Sequence, residues 1–357
     1  MKDRSIEDKT FFVTGGAGFI GSAVVRRLVN DGARRVVTID ALTYAGHREN
    51  LADVADAPNH RFVELDVTDA DGLRSIFEAE RPDAVLHLAA ESHVDRSIEG
   101  PEAFVHTNVL GTQRLLDAAR RHHASLEGRA RAGFRFLHVS TDEVYGSLGP
   151  EGVFTEDSPY RPRSPYAASK AGADHLVRAY GHTYDLPILV TNCTNNYGPY
   201  QYPEKLIPLI LLKAMAGEPI PVYGDGSNVR DWLHVDDHVA GLLAVLAGGR
   251  PGETYLIGGA NERTNLEVVH AILDALQDLA PTDRDRRELI HFVPDRPGHD
   301  LRYAVDATKI RRELGWRPQR SFEEGIATTA QWYLDRGDWC SSVTAGRYDL
   351  ERLGSLA

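Results

Sequence analysis

Cysteine is almost absent from the sequence, because Cys193 and Cys340 are the only 2 in a chain of 357 residues. Two widely separated cysteines build neither a disulfide framework nor a cysteine-ligated zinc cluster, and we expect no metal site. Stability must therefore come from an ordinary hydrophobic core. The length of the chain and its 42% of hydrophobic residues are sufficient for such a core.

An excess of positive charge and long apolar runs are also missing. The net charge of −12 disfavours nonspecific binding to nucleic acids, so an anionic substrate would need local cationic groups. No apolar run has the length of a membrane span, and the polar stretch from Met1 to Lys9 has no signal-peptide core. No internal repeat or low-complexity linker is visible. The sequence therefore predicts a cytoplasmic protein without nucleic-acid or membrane partners.

A glycine-rich segment is the first motif in the chain. It follows a β-rich run, Thr10 to Thr14, and precedes apolar residues at helical spacing. Gly15, Gly18 and Gly21 have the spacing of a dinucleotide-binding turn. The first glycine permits the tight turn, the second lets the backbone approach a pyrophosphate, and the third allows close packing of helix on strand. The helix N-terminus would then offer its N–H groups to the phosphates.

Further predicted strands alternate with helical patterns. The second strand, Arg35 to Asp40, ends in an acid that can bond the adenosine ribose hydroxyls. The same acid would repel a 2′-phosphate, which favours NAD over NADP. The third and fourth strands are predicted at Phe62 to Val67 and at Ala84 to Ala90. This alternation predicts a Rossmann-type α/β fold with a doubly wound parallel sheet, whose sites cluster at the carboxyl ends of the strands.

A hydroxyl and two carboxyl groups follow the next predicted strand, and a phenol and an ammonium group lie on the helix after it. They belong to Thr141, Asp142, Glu143, Tyr166 and Lys170. The last two are four residues apart, which puts them on one face of a helix. A phenol has a pKa of ~10, and a nearby lysine would lower it and make the phenolate a usable base. Together these groups could move protons around a sugar hydroxyl.

The chain changes character after a sixth predicted strand at Leu186 to Thr191, where it becomes turn-rich and polar. We therefore predict an NAD-binding Rossmann domain at residues 1–192, which also carries the catalytic residues. A smaller C-terminal portion, residues 193–357, would mainly bind a nucleotide-sugar and would be interleaved with the first domain. The active site is expected between them.

Three features have two explanations each. Arg230 and Arg296 are suited to clamp a diphosphate, and each could equally form a surface salt bridge. His93 could touch a substrate or lie solvated in its loop. The predicted long helix from Pro101 to His123, together with the helix that begins near Tyr166, could form a dimer interface or pack only within one chain.

The motifs as a set resemble the extended short-chain dehydrogenase/reductase superfamily and, within it, the dTDP-glucose 4,6-dehydratase family. The superfamily is marked by the segment from Gly15 to Gly21 and by Tyr166 with Lys170. The narrower marks are Leu88 to Asp95, Ser140 to Gly146, Asn195 to Tyr200, Glu204 to Pro208 and Arg296 to Asp300. The acid pair after Thr141 is discriminating, because related epimerases usually carry a serine and small residues there.

The resemblance implies bound NAD, a nucleotide-sugar substrate and a homodimer, and it assigns residues to each ligand. The residues implied to hold NAD are Gly15, Gly18, Phe19, Ile20, Gly21, Asp40, Leu42, Thr43, Asp66, Val67, Ala89, Ala90, Ser92, Thr107, Tyr166, Lys170 and Asn196. Those implied to contact the substrate are His93, Thr141, Asn195, Lys205, Leu206, Pro221, Tyr223, Arg230, Asn265, Arg296 and His299. The implied catalytic residues are Thr141, Asp142, Glu143, Tyr166 and Lys170.

Two positions depart from the family pattern. A lysine that usually follows the ribose acid is Ala41 here, which affects an adenine-side contact and not the reaction. The segment at residues 124–133 is longer than is typical, and we expect it at the surface.

The implied reaction is the dehydration of dTDP-glucose to dTDP-4-keto-6-deoxyglucose through an internal NAD⁺/NADH cycle. Tyr166, aided by Lys170, would take the proton of the C4 hydroxyl while the C4 hydride passes to NAD⁺. Glu143 would remove the C5 proton, and Asp142 would protonate the departing C6 hydroxyl. The hydride would then return to C6.

Two other classes remain open from the sequence. One is another nucleotide-sugar enzyme, either a UDP-glucose 4,6-dehydratase or a UDP-sugar epimerase or decarboxylase. Asp142 argues against the last two, while the sequence separates thymine from uracil poorly. The other class is a non-catalytic NAD-binding protein, against which the intact catalytic residues argue. No motif identifies a role for the segment from Arg347 to Ala357.

Overall fold

A parallel sheet of 7 strands forms the centre of the computed structural model, which describes residues 4–295 and 298–344. The strands of the described residues are β1 (Thr10–Thr14), β2 (Arg35–Asp40), β3 (His60–Glu64), β4 (Ala84–His87), β5 (Arg135–Thr141), β6 (Ile188–Cys193), β7 (Asn195–Tyr197), β8 (Ile220–Tyr223), β9 (Val229–His234), β10 (Thr254–Ile257), β11 (Glu262–Thr264) and β12 (Ile290–Val293). The order across the large sheet is β10-β6-β5-β4-β1-β2-β3. The chain therefore winds outwards in both directions from β1, and the predicted doubly wound Rossmann-type sheet is confirmed.

Helices connect and cover these strands. They are α1 (Arg4–Glu7), α2 (Phe19–Asn30), α3 (Ala70–Glu80), α4 (Val94–Glu99), α5 (Pro101–Phe104), α6 (Thr112–Ser125), α7 (Gly128–Gly133), α8 (Pro165–Tyr184), α9 (Leu206–Ala216), α10 (Val235–Gly248), α11 (Asn265–Leu279), α12 (Thr308–Leu314), α13 (Phe322–Asp335) and α14 (Gly337–Thr344). Short 3₁₀ helices span Arg48–Val54, Asp142–Tyr145 and Arg286–Leu289, and one π-helical turn spans Val105–Gly111.

Each face of the large sheet is covered by its own hydrophobic core. Side chains of a strand alternate between the two faces, so Phe11 and Val13 of β1 enter one core while Phe12 enters the other. Helices α2, α10 and α12 complete the first core, and α3, α6 and α8 complete the second. This two-sided burial explains why the strands of the sheet are nearly continuous apolar runs.

The C-terminal portion has a third core, between α9, α11, α13, α14 and two small sheets. In one small sheet β9 pairs with β7 and β11, and in the other β8 pairs with β12. Strand β10 lies beyond the predicted boundary at residue 192 and yet pairs with β6 in the large sheet. The boundary itself falls inside β6, so the two portions share a strand and are linked by a further one.

Four predicted strands are displaced at their ends. Strand β3 ends at Glu64, β4 ends at His87 and β5 runs on to Thr141, so the tips of the strands differ from the predicted ones by two or three residues. Strand β6 begins at Ile188 and not at Leu186, because Pro187 has no N–H to donate to the ladder. Its carbonyl still accepts a hydrogen bond from the N–H of Phe136.

The long helix predicted from Pro101 to His123 is interrupted by the π-helical turn at Val105–Gly111. A π turn inserts an extra residue and rotates the side chains that follow it. Val109 is only half-buried, although it is apolar, while Asn108 is fully buried. The segment at residues 124–133 ends in α7, which has no buried residue, as expected of a surface insertion.

Candidate active site

Loops that follow β1, β2, β4, β5 and β6 converge on one edge of the large sheet and line a single cleft. In parallel sheets of this kind the carboxyl ends of the strands meet at that edge, next to the strand where the order reverses. With the open solvent at its mouth, the cleft has a volume of about 1660 Å³.

The glycine turn after β1 can be made only by glycine at two of its positions. Gly15 has φ +67°, and a Cβ there would lie 2.7 Å from the backbone nitrogen of Ala89. A Cβ on Gly21 would lie 2.0 Å from the carbonyl oxygen of Gly15. The turn therefore brings bare backbone to the floor of the cleft, directly at the N-terminus of α2, where an anion is favoured.

Asp40 at the tip of β2 holds this turn. Its two carboxylate oxygens accept hydrogen bonds from the N–H groups of Ala17 (2.9 Å) and Leu42 (2.9 Å). Burial raises the pKa of Asp40, and these two backbone donors oppose that shift. A carboxylate has about four acceptor sites, so Asp40 can still accept bonds from ribose hydroxyls.

The end of β5 supplies the predicted hydroxyl and acid pair. Thr141 is the N-cap of the short 3₁₀ helix that follows, and its Oγ1 accepts a hydrogen bond from the N–H of Glu143 (3.3 Å). The same hydroxyl lies 3.3 Å from Oδ1 of Asp142. The 3₁₀ turn places Asp142 in the interior, with 2% of its surface exposed, while Glu143 is half-buried. Acids at the tip of a strand are expected outside the core, and the burial of Asp142 contradicts this expectation.

The environment of Asp142 favours its protonated form. Burial raises the pKa of Asp142 well above its usual range, and the carboxylates of Glu143 and Asp231 raise it further, while Arg230 and the Thr141 hydroxyl oppose the shift. Its Oδ2 has no hydrogen-bond partner among the described residues. A carboxyl group whose pKa is raised in this way can act as a general acid near neutral pH.

Helix α8 presents Tyr166 and Lys170 to the same cleft, as their spacing predicts. The helix starts with Ser164, whose Oγ accepts a hydrogen bond from the N–H of Ala167 (3.1 Å), followed by Pro165 in its first turn. The Lys170 ammonium donates to the carbonyl oxygen of Val139 in β5 (2.9 Å).

The pKa of Tyr166 is shifted in the opposite direction from the one we expected for a lysine neighbour. Burial raises the pKa of Tyr166 well above its usual range, and the carboxylate of Glu143 adds to the effect. A hydrogen bond between the Tyr166 hydroxyl and Thr141 opposes the shift. Lys170 is itself buried, and desolvation lowers its own pKa.

The predicted cofactor residues lie together. All of them except Leu42 line the cleft: Gly15, Gly18, Phe19, Ile20, Gly21, Asp40, Thr43, Asp66, Val67, Ala89, Ala90, Ser92, Thr107, Tyr166, Lys170 and Asn196. Leu42 packs against the core instead, held by its bond to Asp40. Two buried polar atoms of the lining, Oγ of Ser140 and Oδ1 of Asn196, have no partner among the described residues. The glycine turn with its exposed backbone, the acid placed to bond a ribose, and the polar atoms without partners together fit a dinucleotide.

The predicted substrate residues are divided. Thr141, Asn195 and Lys205 line the cleft. Its described lining does not include His93, Leu206, Pro221, Tyr223, Arg230, Asn265 or His299. Arg296 lies outside the described residues. His93 is buried and caps α4, with its Nδ1 accepting from the N–H of Arg96 (3.4 Å), so it is not a solvated loop residue.

Arg230 and Tyr223 stand next to the cleft. The Arg230 guanidinium is buried, donates to the carbonyl oxygen of Asp300 (3.0 Å) and stacks 4.4 Å above the ring of Tyr303. It is close enough to lower the pKa of Asp142. Tyr223 donates to Asp95 (3.4 Å), which belongs to the segment that continues from the cleft wall after β4. Arg230 is therefore not a surface salt bridge.

Three lining residues beside the predicted Lys205 were not predicted from the sequence: Tyr44, Tyr202 and Glu204. Arg96 pairs with the buried carboxylate of Glu204 (3.0 Å) and lies 4.2 Å above the ring of Tyr44, which in turn packs edge-on against Tyr202. Lys205 donates to the carbonyl oxygen of Ser92 (3.0 Å). The only signal for this cluster in the sequence was the pair of charged residues directly before the apolar helix α9.

Two kinds of feature are not found in the part of the chain that the structure describes. No group of His, Cys, Asp and Glu side chains is arranged to hold a metal ion. None of the helices combines the length and the apolar character needed to span a bilayer.

Comparisons with known proteins agree with this geometry. The profile of the GDP-mannose 4,6 dehydratase family matches residues 12–329. A dTDP-glucose 4,6-dehydratase of Xanthomonas campestris pv. campestris is 56% identical over 348 residues, which are 97% of this chain and 99% of the relative. The crystal structure of DesIV, a dTDP-glucose 4,6-dehydratase of Streptomyces venezuelae with NAD bound, has 50% identity and a TM-score of 0.86, covering 94% of this chain and 99% of that one. A UDP-glucose 4-epimerase of Thermotoga maritima has 29% identity and a TM-score of 0.80, covering 91% and 99%.

Proposed function

Because this chain belongs to the dTDP-glucose 4,6-dehydratase family of the extended short-chain dehydrogenases/reductases, we propose that it converts dTDP-glucose to dTDP-4-keto-6-deoxyglucose. The observation that carries the proposal is the acid pair, a buried Asp142 beside Glu143, in one cleft with Tyr166 and Lys170. Epimerisation needs no such pair. The 29% identity to an epimerase, against 56% to a dehydratase, supports the same choice.

The cofactor of this reaction is NAD, which when bound accepts hydride from the sugar and returns it within the same turnover. The bare turn at Gly15 and the N-terminus of α2 suit its pyrophosphate. Asp40 suits its adenosine ribose and disfavours the 2′-phosphate of NADP. The nucleotide released from the denatured protein should therefore be NAD(H), and turnover should need little added cofactor. Release of mainly NADP would contradict this assignment.

Each of the protein's own groups has a role that its position supports. Tyr166 takes the proton of the C4 hydroxyl as its phenolate, a form that the positive charges of Lys170 and of bound NAD⁺ would favour. The resulting C4 ketone acidifies the C5 proton, which Glu143 removes. Asp142 gives its proton to the departing C6 hydroxyl, which leaves as water, and C5 is later reprotonated. Thr141 orients the C4 oxygen from its position beside the Tyr166 hydroxyl.

The nucleotide part of the substrate is assigned to the C-terminal side of the cleft. Asn195 and Lys205 line the cleft, and the buried cation of Arg230 lies near Asp142. A diphosphate needs such local cations in a chain of net charge −12. The remaining proposed contacts are His93, Leu206, Pro221, Tyr223, Asn265, Arg296 and His299.

The experiment that tests the function is incubation of the purified protein with dTDP-glucose or UDP-glucose, followed by mass spectrometry. We expect loss of one water from dTDP-glucose, with UDP-glucose dehydrated more slowly. A product of unchanged mass, such as an epimer, would contradict the proposal. Preferred dehydration of UDP-glucose would keep the reaction and replace the substrate.

We also propose a cytoplasmic homodimer. Val105 and Leu110 on the helical segment before α6 are large apolar side chains with 56% and 36% of their surface exposed, and they suit a helix pair from a second copy. Light scattering should give twice the chain mass, and Val105→Glu should give a monomer.

The proposed cytoplasmic location is supported by the cysteines. Cys193 and Cys340 are buried free thiols, which suits a reducing compartment, and cell fractionation tests that placement.

A further inference from the structure

A third charged residue continues the row of Tyr166 and Lys170 along α8. Asp174 is four residues beyond Lys170 and therefore lies on the same face of the helix. Its side chain is completely buried, and 4% of the surface of Lys170 is exposed. Asp174 does not line the cleft, and it has none of the roles described above.

The carboxylate of Asp174 is held by neutral donors. One oxygen is 3.1 Å from Nε2 of His138, and the other accepts from the Tyr160 hydroxyl (2.7 Å) and from Nδ2 of Asn192 (3.3 Å). Burial and the charge of Lys170 lower the pKa of His138 to about 4, so this histidine is neutral at neutral pH. Burial of an unbalanced carboxylate would be costly. Two cations balance it: Lys170, which lines the cleft, and Arg178, which donates to the Tyr160 hydroxyl (2.7 Å) and whose pKa is raised by the charge of Asp174.

Asn192 connects the same carboxylate to the catalytic strand tip. Its Nδ2 donates to the backbone carbonyl oxygen of Thr141 (3.0 Å) as well as to Asp174. Its Oδ1 accepts from the hydroxyl of Tyr145 in the 3₁₀ turn (3.4 Å). Asp174 therefore touches, through one amide group, the backbone of the residue that hydrogen-bonds to Tyr166.

We propose that Asp174 is a positioning residue of the reaction. Its buried charge keeps Lys170 protonated, and its hydrogen bond to Asn192 fixes the position of the Thr141 backbone. The inference rests on the proposed function, because it concerns the C4 oxidation step. Asp174 touches neither substrate nor cofactor and acts only through Lys170 and Asn192.

The expected direction of the pH effect follows from the groups around Lys170. Desolvation lowers the pKa of Lys170, and Asp174 raises it, followed by Cys193 of β6. The other titratable groups facing it are His87 of β4, His138 of β5 and Tyr166 of α8. The pKa of Asp174 is lowered, despite its burial, by His138 and Lys170, so it is charged at neutral pH. Removing that charge lets desolvation dominate, and Lys170 loses its proton at a lower pH.

The test measures the protonation of Lys170 directly. The chain has lysine only at positions 2, 9, 170, 205, 213 and 309, so ¹³Cε-lysine labelling gives few NMR signals, and Lys170→Met assigns the one in question. In the holoenzyme, Asp174→Asn should lower the Lys170 pKa by about one unit or more, the usual effect of losing an opposite charge. The alkaline limb of the rate of C4 oxidation should move to lower pH by the same amount, with KM little changed.

A matched control is Asp117→Asn on α6, whose carboxylate also accepts from a tyrosine hydroxyl, that of Tyr180 (3.2 Å). It should leave the titration of Lys170 unchanged. An unchanged Lys170 titration in Asp174→Asn would overturn the proposal. So would a rate that falls equally at every pH, or a shift of the same size in the control.

If Asp174→Asn folds poorly, a comparison of denaturant unfolding between two variants still tests the proposal. The double variant with Lys170→Met no longer has an ammonium without its counter-charge, so it should unfold at a higher denaturant concentration than Asp174→Asn alone. A double variant that is no more stable than Asp174→Asn would overturn the charge pairing. Failure of the proposed function is distinguishable, because the wild-type protein itself would then form no dehydrated sugar.

Discussion

The two halves of the cleft are built in different ways. In the cofactor half, the glycine turn, Asp40 and Ala89 directly follow strands of one parallel sheet, so pairing of the strands brings them to one edge. In the substrate half, the positions depend on contacts between distant segments: Tyr223 bonds to Asp95, and Arg230 bonds to the carbonyl of Asp300. Backbone geometry therefore determines the first half, and side-chain contacts determine the second. A substitution in the cofactor half should therefore abolish cofactor binding and lower stability together, whereas a substitution in the substrate half should only weaken substrate binding.

The largest effect is expected for Gly21→Ala in the cofactor half. The new Cβ would lie 2.0 Å from the carbonyl oxygen of Gly15, and backbone cannot yield as a side chain can. We expect a loss of about 3 kcal/mol or more of unfolding free energy, the upper end for overpacking, and no retained NAD. Denaturant unfolding and analysis of bound nucleotide measure both. Gly133→Ala, which meets no atom within 4 Å, is the control and should behave as wild type.

The next largest effect is expected for Tyr166→Phe, which removes the phenol and keeps the buried ring. C4 oxidation should slow by about 10²–10⁴-fold, the usual contribution of a general base. Binding of the sugar nucleotide and the content of NAD should be close to normal. Stopped-flow absorbance of the reduced cofactor measures this step. Near-normal turnover would remove Tyr166 from the mechanism.

Asp142→Asn separates elimination from oxidation. Product formation should fall by roughly 10²-fold, because the amide has no acidic proton to give to the C6 hydroxyl. C4 oxidation should continue, so the reduced cofactor should accumulate on the protein. Glu143→Gln should show the same accumulation through loss of the C5 base. Normal dehydration by either variant would make the acid pair structural.

The same substitution should raise stability at neutral pH. Burial raises the pKa of Asp142 in the folded chain above its value in the unfolded chain. The contribution of Asp142 to the free energy of unfolding is therefore largest below the unfolded pKa, and it is lost as the pH rises towards the folded pKa. Each unit of the shift corresponds to about 1.4 kcal/mol. Asparagine does not titrate, so the variant should exceed wild type near pH 7 and lose its advantage near pH 4. Parallel stability curves for the two proteins would contradict this.

The smallest effect is expected for Arg230→Gln in the substrate half. Bonds to a charged group contribute about 1.5–3 kcal/mol, so KM for the sugar nucleotide should rise by roughly 10- to 100-fold. The content of NAD should not change, because Arg230 lies outside the cofactor half. If this variant lost NAD as Gly21→Ala does, the two halves would not be independent.

Groups at the end of a strand could be predicted from the sequence, whereas groups whose position depends on packing could not. Glycine spacing and the acid at Asp40 predicted the cofactor half because both are local features of one backbone turn. The π-helical turn that buries Asn108, with its bonds to Glu91 and Ser169, has no signal in residue type or spacing. The burial of Asp142 and the raised pKa of Tyr166 depend on segments far along the chain. Strand β10 was missed for the same reason.

The central claim is that one cleft oxidises C4 and returns the same hydrogen to C6 of the same sugar. The most direct measurement uses dTDP-glucose labelled with deuterium at C4 and with ¹³C, mixed with unlabelled dTDP-glucose. The dehydrated product should carry deuterium at C6 only in molecules that contain ¹³C. Deuterium in the unlabelled product, its loss to water, or a product without loss of water would contradict the account.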